Sequence, residues 1–357
     1  MKYSIKPKCQ RLTYYSLLFS MLTILSCNPI EKQEGLLLEL TKANDTGINF
    51  RNDITEGLNN NDNILSYTNF YNGGGVAVGD INNDNLVDIY FSSNQTTGKL
   101  FLNKGGFQFE DITIGSGLDT LSGWKTGVTM TDINQDGFLD IYICRSGRVN
   151  TALRTNLLFV NNGGLTFTER ASEFGLDDNS TSIQASFFDY DQDGDLDMYL
   201  LNHAVDPVKE LSKRIEEYHY SKEIGDKIYE NIEGHFTEIK IDVGINQSEL
   251  GDGLGVAVGD LNNDNRSDIY VCNDFLGRDY LYNNMGGGIF KESALESMSH
   301  ISYSSMGVDM SDIDNDGWQD IFVLDMRSSS NYGRKTNMAS MNPKAFNIMV
   351  QVGGHYQ

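Results

Sequence analysis

The chain has 357 residues, of which 39% are hydrophobic and 11% aromatic, and this content supports a sizeable folded core. Its 50 acidic and 27 basic residues give a formal net charge of −23, which excludes a nucleic-acid partner, because phosphate binding needs a basic face. The sequence contains no nucleophile-elbow, P-loop or dinucleotide motif, and its five histidines show no metal or catalytic-triad spacing.

The N-terminus has the pattern of a secretion signal. Four basic residues among the first eleven precede an apolar segment, residues 12–25, that is too short to cross a bilayer. Residues 24–27 resemble the motif at which bacterial lipoproteins are cleaved and lipidated, with Cys27 as the lipidated residue. We therefore predict a signal peptide over residues 1–26 and a lipid-anchored tether over residues 27–35. The mature chain is expected at the bacterial outer membrane or cell surface, with the lipid at Cys27 as its only membrane contact.

One nine-residue acidic pattern then occurs five times. The copies, numbered loops 1 to 5 in chain order, cover residues 80–88, 132–140, 189–197, 260–268 and 312–320. Asp or Asn fills positions 1 and 3, Asp fills positions 5 and 9, and position 6 holds Gly or Asn, which readily adopt a left-handed backbone. Each copy can offer side-chain oxygens from positions 1, 3, 5 and 9 and a backbone carbonyl from position 7. Calcium prefers such an all-oxygen set.

We predict about five calcium ions, one in each loop, bound by side chains at positions 1, 3, 5 and 9. The predicted ligands are Asp80, Asn82, Asp84, Asp88, Asp132, Asn134, Asp136, Asp140, Asp189, Asp191, Asp193, Asp197, Asp260, Asn262, Asp264, Asp268, Asp312, Asp314, Asp316 and Asp320. Position 12 carries no Glu and the flanks look like strands, so the loops are not EF-hands. The alternative is a turn of Asp, Asn and Gly that holds no metal, since these residues dominate turns in general.

Strand signals flank every loop and continue into a second hairpin in each complete unit. The loops begin 52, 57, 71 and 52 residues apart, a spacing typical of propellers and solenoids. Each complete unit holds four antiparallel strands, the content of one propeller blade. We predict an all-β fold, a β-propeller over residues 36–357 with about five visible blades, roughly six or seven in the intact ring, and a truncated C-terminus.

The longest of these steps contains an insertion, residues 204–226. Asp206 followed by Pro207 is typical of a helix start, and apolar residues follow at helical spacing. We therefore predict a short amphipathic helix in this insertion.

The units resemble the FG-GAP or VCBS repeats of integrin-α-type β-propellers. The chain from residue 35 onward is similar to bacterial VCBS-repeat lipoproteins related to the family of acidic secreted protein in cartilage and UnbV (ASPIC/UnbV). Besides the five loops, the resemblance rests on residues 46–50, 70–82 and 193–203. It implies a propeller fold that binds calcium, and it implies little about activity.

A four-stranded meander places its first and third turns on one face and its second turn, with the link to the next blade, on the other. The acidic loops and tight Gly turns occupy the first face, here called the loop face. Variable loops occupy the other, here called the opposite face, and we expect them to meet a partner. The residues assigned to this contact are Trp124, Arg145, Asn202, His203, Asp274 and Arg278.

Four of these residues also have a plausible role inside the protein. Trp124 can pack between blades, and His203 can be a structural hydrogen-bonding residue. Arg145 and Asp274 can form local salt bridges or lie on a solvated rim.

Two functions fit this sequence. The first is a non-enzymatic, calcium-stabilised module for binding, adhesion or uptake support, with a protein or glycan as its ligand. The alternative is a carbohydrate-active enzyme such as a polysaccharide lyase, which needs a base near an Arg or a calcium ion. His203, Tyr303 and Arg145 are isolated candidates for such a site and no motif gathers them, so the binding module is favoured.

Overall fold

A computed structural model describes residues 40–57, 63–64, 66–67, 69–119, 122–147, 151–204, 225–239, 243–245, 252–274, 278–302 and 304–326. The elements below belong to one compact unit, Ala43–Gln357, and the few described residues of the other unit, Met1–Lys42, form no helix or strand. The predicted signal peptide, the tether with Cys27, the insertion helix and the C-terminal residues 327–357 lie outside these ranges, so they stay predictions. In the described ranges no helix is long and apolar enough to cross a membrane.

The described residues form four four-stranded antiparallel sheets and one two-stranded sheet. The first two sheets contain β1 (Val76–Gly79), β2 (Asp88–Phe91), β3 (Lys99–Asn103) and β4 (Phe109–Asp111), then β5 (Trp124–Thr131), β6 (Asp140–Ser146), β7 (Leu157–Asn161) and β8 (Phe167–Glu169). The next two contain β9 (Ser182–Phe188), β10 (Asp197–Asn202), β11 (Lys227–Ile232) and β12 (His235–Ile239), then β13 (Gly253–Gly259), β14 (Asp268–Asn273), β15 (Tyr280–Asn284) and β16 (Phe290–Glu292). The fifth contains β17 (Ser305–Ser311) and β18 (Asp320–Asp325).

Every sheet is a meander whose strands follow chain order. Four helical turns of four residues each accompany the sheets: α1 (Ala43–Thr46), α2 (Thr151–Arg154), α3 (Ala171–Phe174) and α4 (Ala294–Ser297). The predicted fold class is therefore confirmed, since the described chain is all-β and consists of propeller-type blades. The number of blades in an intact ring stays a prediction.

Each acidic loop closes a hairpin between the first and second strands of its sheet. In the second sheet, Thr131 pairs with Asp140, so the residue before the loop lies opposite position 9. The same pairing recurs in the other four sheets. Position 11 is a Tyr in each of the four complete blades, and it is buried in the cluster that its sheet forms with the following sheet.

The hydrophobic core is divided into layers between successive sheets. The first strands contact one another in sequence, β1 with β5, β5 with β9, β9 with β13 and β13 with β17. Four apolar clusters each combine side chains of two consecutive sheets, for example Tyr90 with Ile141, Tyr142 with Met198, Tyr199 with Ile269, and Tyr270 with Val308. Because burying one such large side chain contributes about 1.5–3 kcal/mol, face-to-face packing of sheets is the main apolar stabilisation of the fold.

The fifth sheet is covered on only one of its sides in the described residues. Val308 and Val323 pack against the fourth sheet. Phe322 and Leu324, one residue away along the same strand pair, are each 57% exposed. The alternation follows from strand geometry, since neighbouring side chains point to opposite sides of a sheet.

Candidate metal centres

All five loops fold around the carboxylate at position 1. In loop 2, Asp132 accepts hydrogen bonds from the backbone N–H groups of Asp136, at 3.0 Å, and Gly137, at 2.8 Å. The position-1 residues of the other loops accept the same pair of bonds. One carboxylate thus sets the curvature of each loop and leaves further lone pairs for a cation.

The carboxylate at position 9 connects its loop to the rest of the blade. Both oxygens of Asp140 accept backbone hydrogen bonds, from Ile133 of the loop at 3.1 Å and from Asn161 of β7 at 2.8 Å. The same two bonds form at the position-9 residues of loops 1, 3 and 4. In loop 5 the described part of the chain shows only the loop bond, from Ile313 to Asp320.

Burial changes the acidity of these position-9 groups. It raises the pKa of Asp140 to about 6 and that of Asp197 to about 7. Since two backbone donors already hold each carboxylate, position 9 braces the blade as well as offering an oxygen to a cation. Sequence reasoning assigned these residues only the ligand role.

Two loops bring three carboxylates within the reach of one ion. One oxygen from each of Asp189, Asp191 and Asp197 in loop 3 lies within 4.8 Å of the others. The same holds for Asp312, Asp314 and Asp316 in loop 5. These are the two loops with Asp rather than Asn at position 3. We therefore regard loops 3 and 5 as the strongest candidate sites.

Within the described chain, loop 3 contains a buried carboxylate oxygen without a hydrogen-bond partner, which bears on whether the loop fits a cation. Its position 7 is Asp195, whose Oδ1 atom is buried and has no hydrogen-bond partner among the described residues. Burial, followed by repulsion from neighbouring carboxylates, raises the pKa of Asp191 and of Asp195. A crowded all-oxygen set with an orphaned buried oxygen fits a hard divalent cation such as calcium.

The other loops carry less negative charge. In loops 1 and 2 the position-3 side chain is an Asn whose amide donates to the Asp at position 5, at 3.0 and 2.9 Å. In loop 4, Arg266 at position 7 forms an ion pair with Asp264 at position 5. This guanidinium supplies a positive charge next to a predicted ligand, so we expect loop 4 to bind a cation most weakly.

On the opposite face, the predicted contact residues largely have partners inside the protein. Trp124 is 4% exposed and packs against Tyr67 and Phe70, with ring centroids 5.5 and 4.9 Å away. His203 is fully buried beside Ser146, with 2.6 Å between the hydroxyl oxygen and Nε2. Burial lowers the pKa of His203 to about 3, which keeps the ring neutral.

The remaining contact residues of this face follow the same trend. Arg145 is buried and donates to the carbonyl of Ser122 at 3.0 Å, and Asn202 is buried and donates to the carbonyl of Gly225 at 2.7 Å. Arg278 is half-buried in a two-point ion pair with Glu292.

Asp274 is partly exposed, and its backbone N–H donates to the carbonyl of Asp252 at 3.0 Å. Burial therefore favours the internal alternatives for Trp124 and His203, and an internal role for Arg145 and Asn202. Contact of the six residues with a partner stays a prediction.

Sequence reasoning also missed a repeated tyrosine brace near the opposite face. The buried position-11 hydroxyl donates to an Asp just before the third strand, from Tyr199 to Asp226 at 2.7 Å and from Tyr270 to Asp279 at 2.8 Å. In the second sheet Asn156 takes the Asp position and donates to the Tyr142 hydroxyl. The equivalent residue in the first sheet is a glycine, Gly98, and the Tyr90 hydroxyl is buried there without a partner in the described chain. The recurrent Tyr two residues after position 9 was the available signal.

Comparison with known proteins supports the repeat assignment. Residues 80–143 and 260–323 match the family described as FG-GAP-like repeat. Cartilage acidic protein 1 of Xenopus tropicalis is 34% identical over 138 residues, which cover 38% of this chain and 21% of that protein. The Homo sapiens protein of the same name is 31% identical over 136 residues, which cover 38% and 20%. The matched region thus spans about a fifth of the length of these relatives.

Two solved structures show a more distant likeness. One is a lectin of Agrocybe aegerita, described as recognising non-reducing terminal N-acetylglucosamine, with a TM-score of 0.41 and 18% identity over 68% of this chain and 59% of the lectin. The other is the V. cholerae biofilm matrix protein Bap1, with a TM-score of 0.33 and 14% identity over 60% of this chain and 27% of that chain.

Proposed function

We propose that this chain is a calcium-stabilised propeller of FG-GAP-like repeats that acts as a non-enzymatic binding module. Its ligand is a protein or a glycan, and its place is the bacterial cell surface or outer membrane, where a lipid on Cys27 holds it. The described blades support the module, and the targeting pattern of the sequence supports the location.

One observation carries the proposal, namely that the same loop geometry occurs five times. A catalytic site is a single constellation of different groups, whereas these carboxylates repeat with the same backbone bonds in every blade. Repetition of that kind fits a structural role, in which each ion stabilises one blade. The residues that would hold the ions are the twenty ligands predicted above, and the ions would neutralise carboxylates that otherwise repel one another.

The lyase alternative gains no support from its candidate residues. His203 is buried and held neutral, and Arg145 is buried among backbone carbonyls. Neither can reach a polysaccharide from its described position, and Tyr303 lies outside the described residues. The binding function therefore rests on the scaffold and on the exposed parts of the opposite face.

Thermal unfolding tests the calcium part of the proposal. We expect the melting temperature to rise steeply when calcium replaces EDTA, because each site that binds only the folded chain adds about 2.7 kcal/mol when free calcium is 100 times its Kd. The measurement is differential scanning calorimetry of the mature chain in EDTA, in calcium and in magnesium. Magnesium is the matched control, since it prefers a tight octahedron with several waters and should stabilise less. Identical melting curves in all three buffers would refute the proposal.

A further inference from the structure

Position 4 of the acidic loops, which supplies no predicted ligand, connects each loop to the next one. Its side-chain amide donates a hydrogen bond to the position-6 carbonyl of the following loop. The four bonds run from Asn83 to Gly137 at 2.9 Å, from Gln135 to Gly194 at 3.4 Å, from Gln192 to Asn265 at 2.7 Å, and from Asn263 to Gly317 at 3.2 Å. These four bonds, here called the loop relay, follow the order of the blades.

Both ends of every bond lie where the backbone conformation is unusual. The position-4 residues have φ angles between 57° and 68°, in the left-handed region that most side chains avoid. The accepting residues at position 6 also have positive φ, from 63° at Asn265 to 99° at Gly194. The donor and the acceptor are therefore placed by the fold of their own loops, and a change in either loop displaces one end of the bond.

Position 4 lies between predicted ligands at positions 3 and 5, and position 6 lies between those at positions 5 and 7. An ion that orders one loop thus fixes a donor for the next loop and an acceptor for the previous one. We propose that the loop relay couples the cation sites, so that binding in one loop raises the affinity of its neighbours. The position-4 amides are the positioning residues of this coupling, which rests on the calcium binding proposed above.

The size of the coupling follows from the strength of one bond per junction. One net hydrogen bond corresponds to roughly a two- to tenfold change in affinity, and coupling of this kind is reciprocal between the two sites. Asn315 occupies position 4 of loop 5, with a φ of 60°, and forms no hydrogen bond through its side chain in the described chain. Loop 5 is therefore connected through the relay only to loop 4.

Loop 5 also contains its own optical reporter. Trp318 is its position 7, 50% exposed, and the chain has only two tryptophans. The other, Trp124, begins the eight-residue strand β5, so about 25 Å of strand separates it from loop 2, and it lies in a different sheet from loop 5. Luminescence of Tb³⁺, a calcium substitute, excited through tryptophan therefore reports on loop 5.

The test is a cycle of variants in loop 4, read out in loop 5. Asp260→Asn removes a carboxylate from the loop 4 site, and Asn263→Gly removes the relay amide while accommodating positive φ. All variants are made in a mature chain that also carries Arg266→Asn and Asp314→Asn, which remove the charge differences that would let loop 5 fill before loop 4. In this background, we expect Asp260→Asn to raise the Tb³⁺ concentration that half-saturates loop 5 by up to about tenfold. With Asn263→Gly already present, Asp260→Asn should cause no further shift.

Asn83→Gly is the matched control, because it makes the same change at a remote junction and leaves the bond between loops 4 and 5 intact. In that background the shift caused by Asp260→Asn should persist. Equal shifts with and without Asn263 would overturn the coupling while leaving calcium binding intact. Absence of any Tb³⁺ signal that calcium can displace would instead contradict the proposed function. Far-UV circular dichroism of each variant confirms that the fold is retained.

Discussion

The two faces of the blades use polar residues in different ways. On the loop face, five nearly identical loops carry clustered carboxylates. The position-9 carboxylate is buried in loops 1 to 4, and the carboxylates at the other ligand positions are not buried. On the opposite face, polar side chains such as His203, Asn202 and Asp226 are buried and hydrogen-bonded to other side chains or to the backbone. We therefore expect an added ion to stabilise the loop face, where exposed carboxylates cluster, more than the opposite face, where most of the buried polar groups already have hydrogen-bond partners.

The largest expected effect is a difference in the free energy of unfolding between variants at positions 9 and 5 of loop 2. Asp140→Ala leaves the backbone N–H groups of Ile133 and Asn161 buried without an acceptor, which costs about 2–5 kcal/mol in the free energy of unfolding. Asp136→Ala removes an exposed carboxylate and should cost less than about 1 kcal/mol when no ion is bound. Urea unfolding in EDTA measures both variants, so that the loss of a calcium ligand does not contribute.

In calcium, both variants should lose stability, because each lacks a ligand. Equal destabilisation by the two substitutions in EDTA would show that position 9 does not brace the blade.

A smaller effect is expected from the tyrosine braces. Tyr270→Phe removes a buried hydroxyl that donates to Asp279 at 2.8 Å, and should cost about 1–2 kcal/mol. Tyr90→Phe removes a buried hydroxyl that has no partner in the described residues, and should be neutral or slightly stabilising. Chemical unfolding of the two variants measures the difference, and a larger loss for Tyr90→Phe would contradict the assignment of the braces.

The last comparison concerns binding and involves almost no change in stability. Leu153 on the opposite face and Leu165 in a third turn on the loop face are 38% and 40% exposed and flank the same strand, β7. We expect Leu153→Asp to weaken ligand binding several-fold and Leu165→Asp to leave it unchanged, with both melting temperatures preserved. Binding of each variant to arrays of immobilised glycans and extracellular proteins is the measurement. Loss of binding in Leu165→Asp alone would place the ligand on the loop face.

The sequence predicted the blades because their signals are local and repeated. A loop with fixed spacing and strands with a period of two identify a meander without any knowledge of distant contacts. The partners of position 9 could not be inferred in the same way, since the Asn103 N–H that binds Asp88 is 15 residues away. The hydrogen bonds of the loop relay join residues that are even farther apart in sequence, since Gly137 lies 54 residues after Asn83.

The burial of Trp124 and His203 on the opposite face also depends on contacts between residues that are distant in sequence. Trp124 and His203 lie beside variable loops in the sequence, so both partner contact and an internal role were open for them. In the structure, Tyr67 packs edge-on against Trp124 and its hydroxyl lies 3.3 Å from Nε2 of His203. That segment precedes the first sheet and carries no repeat signal, so its position over the second and third sheets could not be derived from a pattern.

The number of calcium ions that the chain binds depends on whether each acidic loop holds one ion, as we propose. Native mass spectrometry of the mature chain at decreasing free calcium tests it most directly, because it counts bound ions. We expect about five ions at saturation. The ion of loop 4, where Arg266 pairs with Asp264, should be lost first, and those of loops 3 and 5 last. Asp189→Asn in loop 3 should remove one ion from the most persistent pair. A chain that binds no calcium at millimolar concentration would show that the acidic loops are not calcium sites.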